Sequence, residues 1–230
     1  SGDIPDYDEP RVEFDSSLPS WHEFNSKLKK ARNNSAPGPN GVPYIVYKRC
    51  PKVARLLYGY LKGLWKKDTM SKAWRKAEGI FIPKEEGARD IEKFRTISLL
   101  NVEGKLFFAM KAERLTKYIM ANRYIDESIQ KGGIPGVSGC LEHTALLSQL
   151  IREAKEQRKN LVVTWLDIAN AYGSIPHSLI IASLKKAHIP EKECSLVESY
   201  YSDVQIRFST KEFTTEWQRL EKGIVTGCTL

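Results

Sequence analysis

Cysteine is scarce in this 230-residue chain, and the four present are scattered. Cys50, Cys140, Cys194 and Cys228 form no paired C-x-x-C spacing, which argues against a disulfide framework and for free thiols in a reducing, intracellular setting. Histidine is as sparse. Cys140 and His143 share a helix face at i, i+3, but two ligands do not make a zinc site. His177 follows Pro176 and either caps a helix or faces solvent, so neither pair nor single histidine is assigned a metal. No apolar run approaches the ~20 residues of a membrane span, and no signal-peptide pattern opens the chain. Internal repeats and low-complexity tracts are also missing, which excludes solenoids and arrays. What is present is ordinary for a globular chain: 41% hydrophobic and 28% charged residues, in a length that suits one large domain or two intimate ones.

Charge is unevenly spread. The net is +8, yet residues 1–20 hold six acids against one base, a net of −5, so the remainder carries +13. A basic body suits a polyanionic partner such as nucleic acid. Ser1-Gly2 reads as the scar of a removed tag, and residues 1–16 as a poorly packed acidic arm.

Periodicity predicts an amphipathic helix over Ser17–Asn34, with Trp21, Phe24, Leu28 and Ala31 on one face. Ser35-Ala36-Pro37-Gly38-Pro39-Asn40-Gly41 must break it. Pro43 opens a helix to Arg49, and Pro51–Lys67 is another. Gly79–Pro83 and Phe94–Leu100 read as a hairpin joined by the polar loop Lys84–Lys93. Asn101 is placed to cap a long helix from Val102 to Asn122. A glycine-rich loop at 132–139 precedes a helix to about Gln157. Leu161–Asp167 reads as a strand. Helices at His177–Ala187 and Pro190–Tyr201 precede a second hairpin, Val204–Ser209 with Thr214–Leu220. Helices with separated hairpins indicate an α+β fold.

Five blocks resemble, in order, the conserved blocks of reverse transcriptases of non-LTR retrotransposons. Ser35 to Pro43 resembles the proline- and glycine-rich first block. Ile82-Pro83-Lys84 with Phe94-Arg95-Thr96-Ile97-Ser98-Leu99-Leu100-Asn101 resembles the fingers hairpin. Gln130-Lys131-Gly132-Gly133 with Gly136-Val137-Ser138-Gly139 resembles the block before the palm. Asp167-Ile168-Ala169-Asn170-Ala171-Tyr172 is similar to the first palm motif, and Gly223 to Leu230 to the next. Together they cover about residues 17–230. The resemblance implies the fingers and partial palm of a right-hand polymerase: an arm at 1–16, a fingers-like region at 17–159 and part of a palm at 160–230. It implies RNA-directed DNA synthesis on an RNA template with a DNA primer and dNTP, and no membrane role.

The implied site residues each have a plainer alternative. In-line displacement at phosphorus is helped by two Mg²⁺ ions, which take hard oxygen ligands. Asp167 would supply a carboxylate and Ile168 a backbone carbonyl; otherwise Asp167 caps the turn that follows its strand. Tyr172, five residues on, would exclude a ribose 2′-OH; otherwise it is a core tyrosine. Lys84 and Arg95 would reach the triphosphate, as a point charge and a planar fork; otherwise they are solvated hairpin charges. Gly133, Gly136 and Ser138 would let backbone N–H groups meet template phosphates, or simply form a loop-to-helix turn with Ser138 as cap. Gly227 would permit close approach of the backbone.

Thr226 departs from the glutamine common in the family, and Gly173 from a frequent acid. Tyr200-Tyr201-Ser202-Asp203 superficially matches the acidic turn of a later palm motif, but Val204 fills the second acid position, and it reads as a helix-to-strand connection. No second carboxylate motif occurs before Leu230, so the two-ion site is expected to be incomplete, the chain inactive by itself, and some apolar palm surface open to self-association. The competing readings are a non-catalytic nucleic-acid-binding module derived from such an enzyme and an RNA-dependent RNA polymerase. The bulk of Tyr172 counts against the latter.

Overall fold

A computed structural model describes residues 4, 6–168, 170–210 and 212–228. They form two compact units, Ser1–Asn122 with Asn170–Leu230, and Arg123–Ala169. In chain order the elements are α1 (Trp21–Lys30), α2 (Tyr44–Arg49), α3 (Pro51–Lys66), β1 (Lys76–Pro83), β2 (Phe94–Leu99), α4 (Val102–Ala121), α5 (Leu141–Glu156), α6 (Ala171–Ser174), α7 (His177–Lys186), α8 (Glu191–Tyr201), β3 (Gln205–Phe208) and β4 (Gln218–Arg219). Helices and a small mixed sheet make this an α+β architecture. No helix among the described residues is long and apolar enough to cross a membrane.

In the first unit, α1 begins where Ser20 accepts a bond from the Glu23 amide and ends where Ala31 turns extended. It buries Phe24 and Leu28 against the core that α3 (Ala54, Leu57, Leu61, Trp65) and α4 (Leu106, Phe107, Met110) share. Trp65 and Phe107 meet edge to face at 5.4 Å. The strands form one sheet in the order β2-β1-β3-β4. β1 pairs antiparallel with β2, Gly79 opposite Ser98, and parallel with β3, Gly79 opposite Phe208. The two expected hairpins are therefore one sheet, because β1 offers its second edge to β3. This joint also places residues 170–230 in the same unit as the first hairpin. Tyr201 ends α8, and Ser202 to Val204 lead into β3, as a helix-to-strand connection should.

Two polar arrangements differ from expectation. Asn101 occupies the N-cap position of α4 but makes no side-chain cap bond. Its Oδ1 accepts from the Asn40 amide at 3.1 Å and its Nδ2 donates to the Ala73 carbonyl at 3.2 Å. The reason is the neighbour: Gly38 lies so close that a Cβ there would stand 2.3 Å from the Asn101 nitrogen, leaving the side chain buried under the 35–41 loop. The acidic arm, expected to pack poorly, is tied down. Val12 and Asn122 exchange bonds at 2.9 and 3.0 Å, Arg114 reaches the Asp15 and Ser17 carbonyls, and Asp6 pairs with Lys186.

The second unit is a loop and a helix. Asp126 accepts from the Ser128 amide and hydroxyl, Lys131 pairs with Glu142 at 2.7 Å, and α5 follows. α5 buries none of its residues; Leu141, Leu146 and Leu150 are exposed. The expected strand at Leu161–Asp167 does not form. Residues 159–168 carry no regular structure, and Val162, Trp165 and Leu166 are exposed. β-prone side chains only favour a pleated surface; a strand needs a lateral partner for its backbone, and no described segment pairs with this one.

Between α4 and α8 lies a buried ion pair. Lys111 Nζ is 2.8 Å from both Glu193 oxygens and 3.7 Å above the Trp65 ring. Burial pulls the ammonium below the usual lysine range although Glu193 opposes it. Removing one partner of such a pair leaves a buried lone charge, which typically costs ~3–5 kcal/mol. Glu193→Ala should therefore lose about that much in urea unfolding, and Lys111→Met combined with Glu193→Leu should recover most of it. Equal stabilities for the single and double variants would show that the pair does not hold α8 to α4.

Candidate nucleotide-binding site

The candidate residues of the first unit gather around β2, the sheet's edge strand. Alternation along the strands puts Thr96 and Ser98 on one face with Gly79, Phe81, Ile206 and Phe208, where Phe81 and Phe208 stack at 4.7 Å. A cleft of about 300 Å³ lies on that side, lined by Thr96, Ser98, Phe208, Gly173, Gly223 and neighbours. Arg95 and Ile97 stand on the opposite face with Ile82, and all three are exposed. Lys84 is also exposed, but its Nζ folds back to donate to the Glu92 carbonyl at 2.7 Å, bracing the hairpin loop with the 2.8 Å bond from its own amide to the Lys93 carbonyl. Both side chains reach solvent, where Arg95 can meet an anion directly and Lys84 only by leaving the Glu92 carbonyl.

The outer edge of β2 is occupied. Ser98 donates its amide to the Thr226 carbonyl at 3.0 Å, and Thr226 Oγ1 donates to the Thr96 carbonyl at 3.0 Å. Thr226 thus spends its hydroxyl on β2. Gly227, at φ +96°, follows so closely that a Cβ would stand 2.8 Å from the Ser98 oxygen. Glycine is required there both by conformation and by space.

On its other side the 223–228 segment is laced to the turn after Tyr172. Ile224 donates to the Tyr172 carbonyl and Gly223 to the Ile175 carbonyl, both at 2.7 Å. His177 Nε2 is 2.9 Å from the Gly223 oxygen, and its ring packs 4.6 Å from that of Tyr201. A Cβ on Gly223 would meet Gly173 backbone at 2.9 Å. Tyr172 itself is 66% exposed, so it is not a core tyrosine. The N-cap position of α6 is Asn170, in the left-handed region at φ 49° and ψ 47°, so Asp167 does not cap it.

At the far end of β2, Asn40 Nδ2 donates to both Glu103 oxygens, at 3.0 and 3.1 Å, and the Tyr47 hydroxyl donates to Glu103. Burial and the Glu103 charge push the Tyr44 phenol up to about 12. The 223–228 segment therefore bonds to β2 on one side and to the 172–177 turn on the other, and the 35–41 loop lies against Leu100 and Asn101 just beyond the strand.

Asp167, Ile168, Gly133, Gly136 and Ser138 belong to the second unit. Asp167 and Ile168 are exposed in the irregular 159–168 stretch. Gly133 and Gly136 sit at φ +77° and +81°, and a Cβ at either would meet nothing within 4 Å, so conformation alone selects glycine. Ser138 does not cap α5, whose N-cap position is Cys140 without a side-chain bond. No group of three or more His, Cys, Asp or Glu that could hold a metal ion is present among the described residues. Asp167 and the Ile168 carbonyl are donors of the kind Mg²⁺ takes, but they are too few to complete a two-ion site.

Sequence reasoning did not single out Glu103 and gave His177 no partner. A histidine after proline carries no period and no spacing to a ligand, so only the fold discloses its carbonyl partner.

The profile of the family described as reverse transcriptase (RNA-dependent DNA polymerase) matches residues 82–230. The chain is 23% identical over 88% of its length to a Retrovirus-related Pol polyprotein from the type-1 retrotransposable element R2 of Nasonia vitripennis, covering 19% of that protein. It is 28% identical over 77% of its length to the corresponding polyprotein of Bradysia coprophila, covering 20%, and 26% identical over 78% to the type-2 R2DM polyprotein of Drosophila melanogaster, covering 16%. The chain thus spans about a fifth of the length of these relatives.

Gly227→Ala should destabilise the first unit by ~1–3 kcal/mol, the usual cost of a residue forced into an unfavourable region. Gly63→Ala, in α3 with nothing within 4 Å of the added carbon, should be neutral or gain up to ~1 kcal/mol. Thermal unfolding of both decides the matter; indifference to Gly227→Ala would mean that the segment does not press on β2.

Proposed function

The chain belongs to the reverse transcriptase family, and we propose that it supplies the nucleotide-selecting part of an RNA-directed DNA polymerase of a non-LTR retroelement. The observation that carries this reading is the meeting of the 172–177 and 223–228 segments with the β1–β2 hairpin at β2, together with the family match over the same residues. Residues 17–159 serve as fingers and 160–230 as part of a palm.

An incoming dNTP lies, on this reading, beside β2, with its triphosphate toward the exposed Arg95 and Lys84 and its sugar toward Tyr172. Arg95 offers its fork to phosphate oxygens, and Lys84 exchanges the Glu92 carbonyl for the triphosphate, a favourable trade of a neutral for a charged acceptor. Gly227 lets the backbone come near the nucleotide. Backbone N–H groups around Gly133, Gly136 and Ser138 take template phosphates. Bound Mg²⁺ would supply charge neutralisation for phosphoryl transfer, with Asp167 and the Ile168 carbonyl among its ligands. Because those donors do not complete the site, residues 1–230 alone are expected to bind an RNA–DNA hybrid without extending it. The exposed apolar residues of α5 and 159–168 are where self-association would occur.

The test is template-dependent dNTP incorporation by a protein that joins these residues to the rest of a palm domain. The wild type should incorporate, and Asp167→Ala should fall to background. Retained incorporation in the variant would remove Asp167 from the metal site, and salt-sensitive binding without incorporation by the wild type would favour the non-catalytic module.

Tyr172 excludes the 2′-OH by bulk. Overpacking of this kind typically costs ~1–3 kcal/mol, or about one to two decades in selectivity. Tyr172→Ala should raise the rNTP-to-dNTP ratio of kcat/KM by about that factor. An unchanged ratio in a folded protein would retire the role.

A further inference from the structure

We infer that His177 is a positioning residue for sugar selection: it holds the Gly223–Ile224 peptide group in the orientation that seats Tyr172. This rests on the reading of Tyr172 as the sugar-excluding side chain. The geometry is specific to one peptide plane. The carbonyl oxygen of Gly223 is bonded by His177 Nε2 at 2.9 Å, and the N–H of the same peptide group, on Ile224, donates to the Tyr172 carbonyl at 2.7 Å. One rigid unit is clamped at both ends, because a peptide bond does not twist. Gly223 sits at φ +90°, a region closed to most side chains, and glycine itself presents little barrier to turning away.

The donor is determined by chemistry. A carbonyl oxygen only accepts, so Nε2 carries the proton in this contact. The ring is itself held, lying 4.6 Å from Tyr201, which is 4% exposed in α8. The line of force runs from the core through Tyr201 and His177 to the Gly223 oxygen, across the peptide to the Ile224 N–H, and on to the backbone of Tyr172. The approach is close enough to require glycine at 223, where a Cβ would stand 2.9 Å from the Gly173 backbone. Losing the clamp leaves Tyr172 attached to a peptide free to rotate, and the exclusion of a 2′-OH relaxes.

Two variants separate donor from ring. His177→Phe keeps an aromatic ring on Tyr201 and removes the donor; His177→Gln keeps a donor of similar reach and removes the ring. In the complete polymerase that carries this chain, His177→Phe should raise the rNTP-to-dNTP ratio of kcat/KM about fivefold to tenfold, the effect of one lost hydrogen bond. His177→Gln should stay near the wild-type ratio. Amide exchange in the same proteins should show Ile224 faster in His177→Phe by a similar factor, with the β1–β2 amides unchanged. A wild-type ratio in His177→Phe beside an altered ratio in Tyr172→Ala overturns the positioning role. If Tyr172→Ala leaves the ratio unchanged, the sugar reading fails, and the clamp stands or falls on the exchange of Ile224 alone. Slower or equal exchange in His177→Phe refutes it.

Discussion

Everything in the first unit that bears on the site depends on how the outer edge of β2 is closed. An edge strand presents unpaired N–H and C=O groups and invites pairing with other chains. Here the amide of Ser98 and the carbonyl of Thr96 are taken by Thr226. Because Gly227 lacks a side chain, the segment lies against the strand instead of bowing off it. The same segment is then fixed on its far side to Tyr172, Ile175 and His177. One stretch of six residues thereby joins the β1–β2 hairpin to the turn that carries Tyr172.

Behind this arrangement stands a helical layer. Leu100 and Asn101 follow β2 under the 35–41 loop, with Gly38 in contact with their backbone. Asn40 and Tyr47 converge on Glu103 in the first turn of α4. The long α4 is held in turn by Lys111 to α8 and by Arg114 to α1, where the guanidinium meets Glu23 at 3.0 and 2.8 Å. α8 carries Tyr200 and Tyr201, both buried, whose phenols burial pushes upward. Tyr201 is the surface on which His177 rests. The polar contacts of the core and the backbone contacts of the site are parts of one continuous structure.

How much of this is legible in the sequence follows from the range of the forces involved. The breaks at Pro37-Gly38-Pro39 and the helices α1, α3 and α4 announce themselves through local conformation and period. The β1–β2 hairpin does so through alternation and its polar loop. The parallel pairing of β1 with β3 has no local signature, since the residues that meet are more than a hundred positions apart. Asn101 looks like a cap in sequence because capping is local, but a nearby loop outcompetes the helix for its amide. The stretch before Asp167 shows the opposite failure: strand propensity is strong there, and no described segment pairs with it. For the candidate site, the resemblance put forward Tyr172 and Gly227. Neither it nor spacing gave His177 a partner, because its contact with Gly223 exists only once the fold brings the two together.

The central claim is that the 223–228 segment is seated along β2 and completes the site. Residue-resolved amide exchange of Ser98 tests it most directly, because its N–H faces away from β1 and is bonded to the Thr226 carbonyl. The account predicts that Ser98 is protected to the same degree as the amides of the β1–β2 ladder. Exchange of Ser98 at the rate of an exposed loop, with that ladder still protected, would contradict it.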